Sequence, residues 1–277
     1  MTIVSKNSNK HPNLLQTSQK FFLKQMQQNI TQFDFEFEKI PLPSKGLVYP
    51  LSNPLSKGFV EMRYMTAKHE DILTNVNKIS KGESYLINEF AKSLIVDPNI
   101  CYEDLIDGDS FQIILASRIL AYGSKYEFKY KDKDYSIDLS KIGDKEFDTK
   151  LFKNLNEFEF ILPMRGIPIT IKILTVGDYI KIDEEKVELK KQFPEENFDR
   201  FVKLKYMIQS VDGNRDKSFI TNFIENKLIG WDIRSIFDFH TEIAPNVDFT
   251  FTLDSTEGVK TNIPFDTIEL FFPTKQL

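Results

Sequence analysis

The chain has 277 residues, of which 41% are hydrophobic and 28% are charged, and its formal net charge at pH 7 is −5. These values are typical of a globular protein with one or two domains, and they exclude a wholly disordered chain, a collagen-like fibre and a disulfide-stabilised scaffold. Cys101 is the single cysteine and cannot form an internal disulfide, which predicts a reducing compartment. No apolar run is long enough to predict a membrane span or a secretory signal peptide.

Residues 1–32 form a polar and basic N-terminal arm. They contain four lysines and no acidic residue, so the rest of the chain carries a net charge of −9 and is poorly suited to coating DNA. We predict that this arm is flexible, that residues 1–13 are disordered, and that a short amphipathic helix follows. Its apolar stripe, Phe22, Met26 and Ile30, packs against the protein itself or binds a partner protein.

The folded body is predicted to begin at residue 33. Phe33, Phe35 and Phe37 alternate with acidic residues, as in a strand with one apolar face. Residues 40–50 contain three prolines and one glycine, which exclude a helix and predict an extended crossing interrupted by turns.

A weak internal repeat organises the body. In each copy a predicted strand ends at a threonine that begins a helix: Thr66 follows residues 59–65, and Thr175 follows residues 168–174. A threonine hydroxyl can accept from the first free N–H groups of a helix, and acidic residues are favoured in its first turn. We therefore identify Thr66 and Thr175 as helix N-caps.

Helical segments follow both of these junctions. In the first copy, apolar residues at helical spacing predict a helix from Phe111 to Tyr122 that ends at Gly123. In the second copy, the predicted elements are a charged helical stretch over residues 180–207 with a break at Pro194, a turn at residues 212–214, and a helix over residues 219–228.

A β-hairpin is predicted to close each copy. Residues 126–139 and residues 249–263 each contain two short stretches of alternating apolar residues. The sequence therefore predicts an α+β fold with two related lobes, residues 33–150 and residues 151–277, in addition to the N-terminal arm.

The sequence contains few of the residue patterns that carry chemistry. The three histidines, His11, His69 and His240, have no neighbours that define a site, and His69 cannot share a metal with the two acids after it because consecutive helical residues point in different directions. The acidic runs at residues 183–185 and 195–196 are typical of a solvated helix face. No nucleotide-binding, hydrolase or metalloprotease motif occurs. We therefore predict no catalytic, cofactor-binding or metal-binding residues, and no enzyme.

Three groups of residues carry a resemblance to a known family. They are Ile40-Pro41-Leu42-Pro43-Ser44-Lys45-Gly46 followed by Tyr49-Pro50, Met62-x-x-Met65-Thr66-Ala67 with Glu70-Asp71-Ile72-Leu73, and Phe249-x-Phe251 with Ile263-Pro264 and Phe271-Phe272-Pro273. From about residue 33 to residue 273, the chain resembles the baseplate hub assembly proteins of T-even bacteriophages and their relatives. Some relatives carry Cys-x-x-Cys pairs at the hairpin tips, which this chain lacks, so we expect no zinc there.

This resemblance implies a role in phage tail morphogenesis in the cytoplasm of the infected cell. The protein would help the baseplate hub or the tape-measure protein to assemble, or would remain in the baseplate of the virion. These tail proteins are the implied partners, and the resemblance fixes no binding residue. Two alternatives stay open: a nucleic-acid adaptor that uses the lysines of the arm, and an uncharacterised small-molecule enzyme.

Overall fold

The structure is a computed structural model, and it describes residues 37–74, 83–130, 133–153, 155–248, 250–252, 260–262 and 270–271. The helices of this part of the chain are α1 (Ala67–Leu73), α2 (Glu83–Leu94), α3 (Asp107–Tyr122), α4 (Val176–Gln192), α5 (Asp199–Met207), α6 (Lys217–Asn226) and α7 (Gly230–Ile243). The strands are β1 (Phe37–Pro41), β2 (Phe59–Arg63), β3 (Lys125–Tyr130), β4 (Lys133–Asp138), β5 (Gly143–Asp144), β6 (Phe158–Ile161), β7 (Pro168–Ile171), β8 (Ile208–Val211), β9 (Val247–Asp248), β10 (Thr250–Thr252) and β11 (Lys260–Asn262).

These elements confirm the predicted α+β class. The described strands form small antiparallel sheets, one of three strands in the order β6-β7-β8 and four of two strands, β1-β2, β3-β4, β5-β9 and β10-β11. Helices pack around these sheets. None of the described helices combines the length and the apolar character that crossing a membrane requires.

The two strand-to-helix junctions have the same order of elements. Before each junction lies an antiparallel pair, β1 with β2 and β6 with β7. After the helices that follow, a third segment returns to the second strand: Ile95 forms a bridge with Met62, and β8 pairs with β7. The shared order of elements favours the predicted internal repeat. That the two lobes have a related fold stays a prediction.

The helices with clear start and stop signals lie close to their predicted positions. Helix α3 ends at Gly123, which has a φ of +82°. Helices α4 and α5 are separated at Pro194, as predicted. Glu195 and Glu196 were predicted to lie on a solvated helix face, but they lie in this break. Strands β3 and β4 form the predicted hairpin, with Tyr126 opposite Ile137. The predicted strand residues 33–36 and the tips of both hairpins lie outside the described residues.

The core is one cluster of buried side chains that come from both predicted lobes. Strand β5 pairs with β9 across the predicted boundary, and the N–H of Val176 donates to the carbonyl of Leu105. A Cβ at Gly108, in the first turn of α3, would lie 2.1 Å from the carbonyl oxygen of Pro245. Because that separation is far below any van der Waals contact, glycine is required where α3 meets the segment before β9.

Candidate functional site

Three large apolar side chains are exposed where the turn after β6 meets the start of α7. Met164 is 63% exposed, Ile229 36% and Trp231 60%, and Trp231 is the only tryptophan of the chain. We call these three residues the Trp231 surface. Tryptophan and methionine are enriched where proteins bind one another, so this cluster has the composition of a docking surface.

Two contacts hold the segments of the Trp231 surface together. Asp232 is fully buried in the first turn of α7, and its Oδ1 accepts a hydrogen bond of 3.0 Å from the backbone N–H of Met164. In strand β6, which precedes this turn, Phe160 stacks on Phe239 of α7 with ring centroids 4.6 Å apart. The surface is therefore built on a turn and a helix that are fixed to each other, which favours binding without a large ordering cost.

The proline-rich segment is attached to α3 through a buried carboxylate. Asp109 Oδ1 accepts from the N–H of Ser44 at 2.9 Å, and Oδ2 accepts from the hydroxyls of Ser44 and Tyr49, both at 2.6 Å. The Tyr49 oxygen also accepts from the N–H of Ile106 at 3.0 Å. Burial raises the pKa of Asp109 to about 6, while the hydrogen bonds from Ser44 and Tyr49 oppose this rise. Ser44 and Tyr49, which carry part of the family resemblance, thus serve the fold.

A cleft of about 920 Å³ lies between the start of α3, the β5-β9 pair and the end of α7. His240 and Tyr179 line it, and both are half-buried. Burial, assisted by the charges of Lys203 and Lys145, lowers the pKa of His240 to about 4, so the imidazole is neutral at pH 7. No described acid, hydroxyl or thiol forms a hydrogen bond with His240 Nε2. Among the described residues, His240 Nε2 therefore has no partner with which it would form a nucleophile–base pair.

A second cleft, of about 960 Å³, lies between α4 and α6 and contains several cationic side chains. Three of them form ion pairs: Lys172 with Asp178 at 2.7 Å, Arg215 with Glu157 at 2.8 Å, and Lys205 with Glu185. The other two, Lys181 and Lys217, form no ion pair among the described residues, and two uncompensated cations give little support to a nucleic-acid site.

The residues identified from the sequence occupy separate places. Thr175 Oγ1 accepts from the N–H of Asp178 at 3.2 Å, and the Asp178 carboxylate accepts from the N–H of Thr175 at 3.0 Å, which is a capping box. Thr66 is likewise the N-cap of α1, where its N–H donates to Nδ1 of His69 at 3.0 Å and its hydroxyl lies 2.8 Å from the same nitrogen. Phe22, Met26 and Ile30 lie outside the described residues.

The remaining candidates for chemistry are also isolated. Cys101 is exposed, and its thiol donates to a Glu103 carboxylate oxygen at 3.1 Å. This hydrogen bond, followed by burial, raises the pKa of the Cys101 thiol, the opposite of what a reactive thiolate needs. Within the described ranges, no three His, Cys, Asp or Glu side chains lie together in a group that could hold a metal ion.

No protein-family model, no curated protein and no solved structure matches this chain. The resemblance to phage hub assembly proteins is therefore carried by the quoted residues alone. The Trp231 surface is the candidate site among the described residues.

Proposed function

We propose that this chain is a non-enzymatic protein of bacteriophage tail morphogenesis. It acts through protein-protein contacts, either as a component of the baseplate hub or as an assembly chaperone for the hub or the tape-measure protein. It works in the host cytoplasm during assembly and, as a component, stays in the virion baseplate. The phage assignment is supported by the resemblance of residues 40–50 and 62–73, and the mode of action is supported by the Trp231 surface.

The Trp231 surface carries the argument for binding. Each of its large side chains leaves apolar area in water; burying a fully exposed side chain of this kind contributes roughly 1.5–3 kcal/mol, and covering these partly exposed ones contributes a fraction of that. The surface combines an aromatic anchor with flexible Met164, and Arg165 adjoins it with its side chain exposed. Tryptophan and arginine are the residues that most often dominate binding energy at protein interfaces. A protein partner of the tail fits this surface better than a small substrate does.

Capture experiments with the tail proteins test this proposal. Full-length protein is immobilised and presented with the purified cognate hub and tape-measure proteins, and mass spectrometry of virions shows whether the chain remains in the particle. We expect capture of at least one tail protein and a loss of about tenfold or more in affinity for the double variant Met164→Ala, Trp231→Ala. The matched control is Leu51→Ala, which removes a side chain that is 95% exposed outside the Trp231 surface.

The two alternatives predict different results. A nucleic-acid adaptor would bind oligonucleotides with an affinity that falls steeply with salt, because binding would release counterions. An enzyme would turn over a small substrate and would lose that activity with His240→Gln. If the full-length protein captures neither tail protein, the proposal of a tail assembly function is wrong.

A further inference from the structure

Strand β6 lies at an edge of its sheet. In the order β6-β7-β8 it pairs with β7 alone among the described strands, with Phe158 opposite Ile171 and Phe160 opposite Ile169. In the same register, the N–H of Leu162 donates to the carbonyl of Ile167 at 3.0 Å. Hydrogen-bonded pairs alternate along an antiparallel ladder, so the backbone groups of residues 158, 160 and 162 point toward β7.

The backbone groups of Glu159 and Ile161 therefore point away from β7. The opposite strand agrees, because the carbonyl of Pro168, the partner of Ile161, accepts from the N–H of Asp212 on the β8 side at 2.8 Å. Among the described residues, no hydrogen bond uses the N–H or the carbonyl of Glu159 or Ile161. Both residues are exposed, so two donors and two acceptors face outward along this edge.

The side chains along this edge add charge and apolar area in a fixed order. Glu159 is exposed at one end, Ile161 follows on the same face, and Arg165 is exposed in the turn after the strand. In the part of the chain that the structure describes, neither Glu159 nor Arg165 forms an ion pair. Ile161 is 65% exposed. A negative charge, an apolar side chain and a positive charge therefore succeed one another.

We infer that the open edge of β6 accepts an extended segment of a partner protein as a fourth strand of the sheet. The backbone of this segment pairs with the outward N–H and carbonyl groups of Glu159 and Ile161. An apolar side chain packs on Ile161, a basic residue lies beside Glu159, and an acidic residue lies beside Arg165. Backbone pairing supplies affinity, and the order of charges sets the direction of the added strand. This inference rests on the proposed function in that it assumes a protein partner.

The experiment selects short random peptides for binding to the full-length protein and then measures their affinities. Glu159→Pro and Ile161→Pro each remove one outward N–H and leave the hydrogen bonds to β7 in place. Glu159→Gln and Ile161→Thr are the matched controls that keep the N–H. We expect the selected peptides to contain alternating apolar residues. We also expect each proline variant to bind them about tenfold or more weakly than the native protein does, and this loss to exceed the loss in the matched control.

Peptides with methylated backbone amides test the same hydrogen bonds on the native protein, so the test does not depend on whether a proline variant folds. Methylation of the peptide amides that face β6 is expected to abolish binding to the native protein, and methylation of the alternate amides is expected to leave it unchanged. If the native protein enriches no peptide over the proline variants, or if both methylated forms bind equally, strand addition at β6 is refuted.

Failure of this inference is distinguishable from failure of the proposed function. Peptide binding that depends on the β6 edge, without capture of any tail protein, leaves the inference intact and removes the phage assignment. Capture of a tail protein that is unaffected by either proline variant keeps the assignment and removes strand addition.

Discussion

Asp109 couples the stability of the protein to pH through a single buried carboxylate. Burial raises its pKa to about 6, whereas the same group in an unfolded chain titrates near ~4. Between these pH values the folded state holds the proton and the unfolded state releases it. The contribution of Asp109 protonation to the free energy of unfolding is therefore complete below about pH 4 and is lost as the pH rises through about 6.

The variant Asp109→Asn tests this dependence. The amide NH2 replaces Oδ2 and so places N–H donors against the hydroxyls of Ser44 and Tyr49, which donate to that oxygen in the native protein; we expect the variant to be less stable at every pH. We also expect the free energy of unfolding of the native protein, relative to the variant, to fall with rising pH by up to about 1.4 kcal/mol per pH unit. Urea denaturation across this range measures it, with the exposed Asp238→Asn as control. A difference that does not change with pH would contradict the raised pKa.

The residues of the candidate site were the hardest to predict from the sequence. Asp109 and Ser44 are 65 positions apart, and no local pattern joins them. The exposure of Trp231 depends on how the turn after β6 meets α7, since an aromatic residue at a helix start is more often buried than exposed. Sequence patterns carry periodicity and capping signals, whereas these two features arise only from tertiary contacts.

At the scale of elements, the two threonines that precede helices differ in what they bond. Thr175 accepts from the N–H of Asp178, so Thr175→Ala leaves an orphan donor and is expected to cost about 1 kcal/mol in the free energy of unfolding. Thr66 bonds the His69 side chain at the start of the short helix α1, so Thr66→Ala is expected to cost less. Urea denaturation of both variants measures the difference. Equal costs would show that the cap at Thr66 contributes as much as the cap at Thr175, against this expectation.

Gly108 tests the close approach between α3 and the segment before β9. A methyl group there would meet the Pro245 carbonyl at 2.1 Å, and relief requires a backbone shift. We expect Gly108→Ala to lower the free energy of unfolding by about 1–3 kcal/mol or more, in spite of the higher helix propensity of alanine. Gly143→Ala is the matched control, because its Cβ would meet nothing within 4 Å. Thermal melting of both variants measures the difference in stability. A Gly108→Ala protein that is more stable than the native protein would contradict the close approach of Gly108 to the Pro245 carbonyl.

Elements with strong local signals were predicted, and those without them were missed. The helical spacing of α3, the break at Pro194 and the turn at residues 212–214 identified their elements in advance. Strands β6 and β8 have only four residues each, and β8 follows α5 directly at Met207 with no turn residue between them. Such short strands depend on their pairing with β7, which no single segment of the sequence displays.

At the scale of the whole molecule, the continuous core predicts one cooperative unfolding transition. Buried residues from both predicted lobes belong to one cluster, and the β5-β9 pair joins residues from each. Neither lobe keeps its core when the other unfolds, so we expect the calorimetric enthalpy to equal the van't Hoff enthalpy. Two resolved transitions in differential scanning calorimetry would show instead that the lobes at residues 33–150 and 151–277 are independent domains.

The N-terminal arm, residues 1–32, is predicted to serve binding and not folding. The arm is polar and basic and its apolar stripe is short, so we expect a chain that lacks residues 1–32 to keep the melting temperature of the full chain. An arm that orders on its partner gives up about 1–2 kcal/mol per residue, so its own contribution to affinity should be modest. We expect the truncated chain to bind tail proteins more weakly, and the double variant Phe22→Asp, Met26→Asp to match it. The control is Lys6→Gln, which leaves the apolar stripe unchanged. A lower melting temperature for the truncated chain would mean that the stripe belongs to the core.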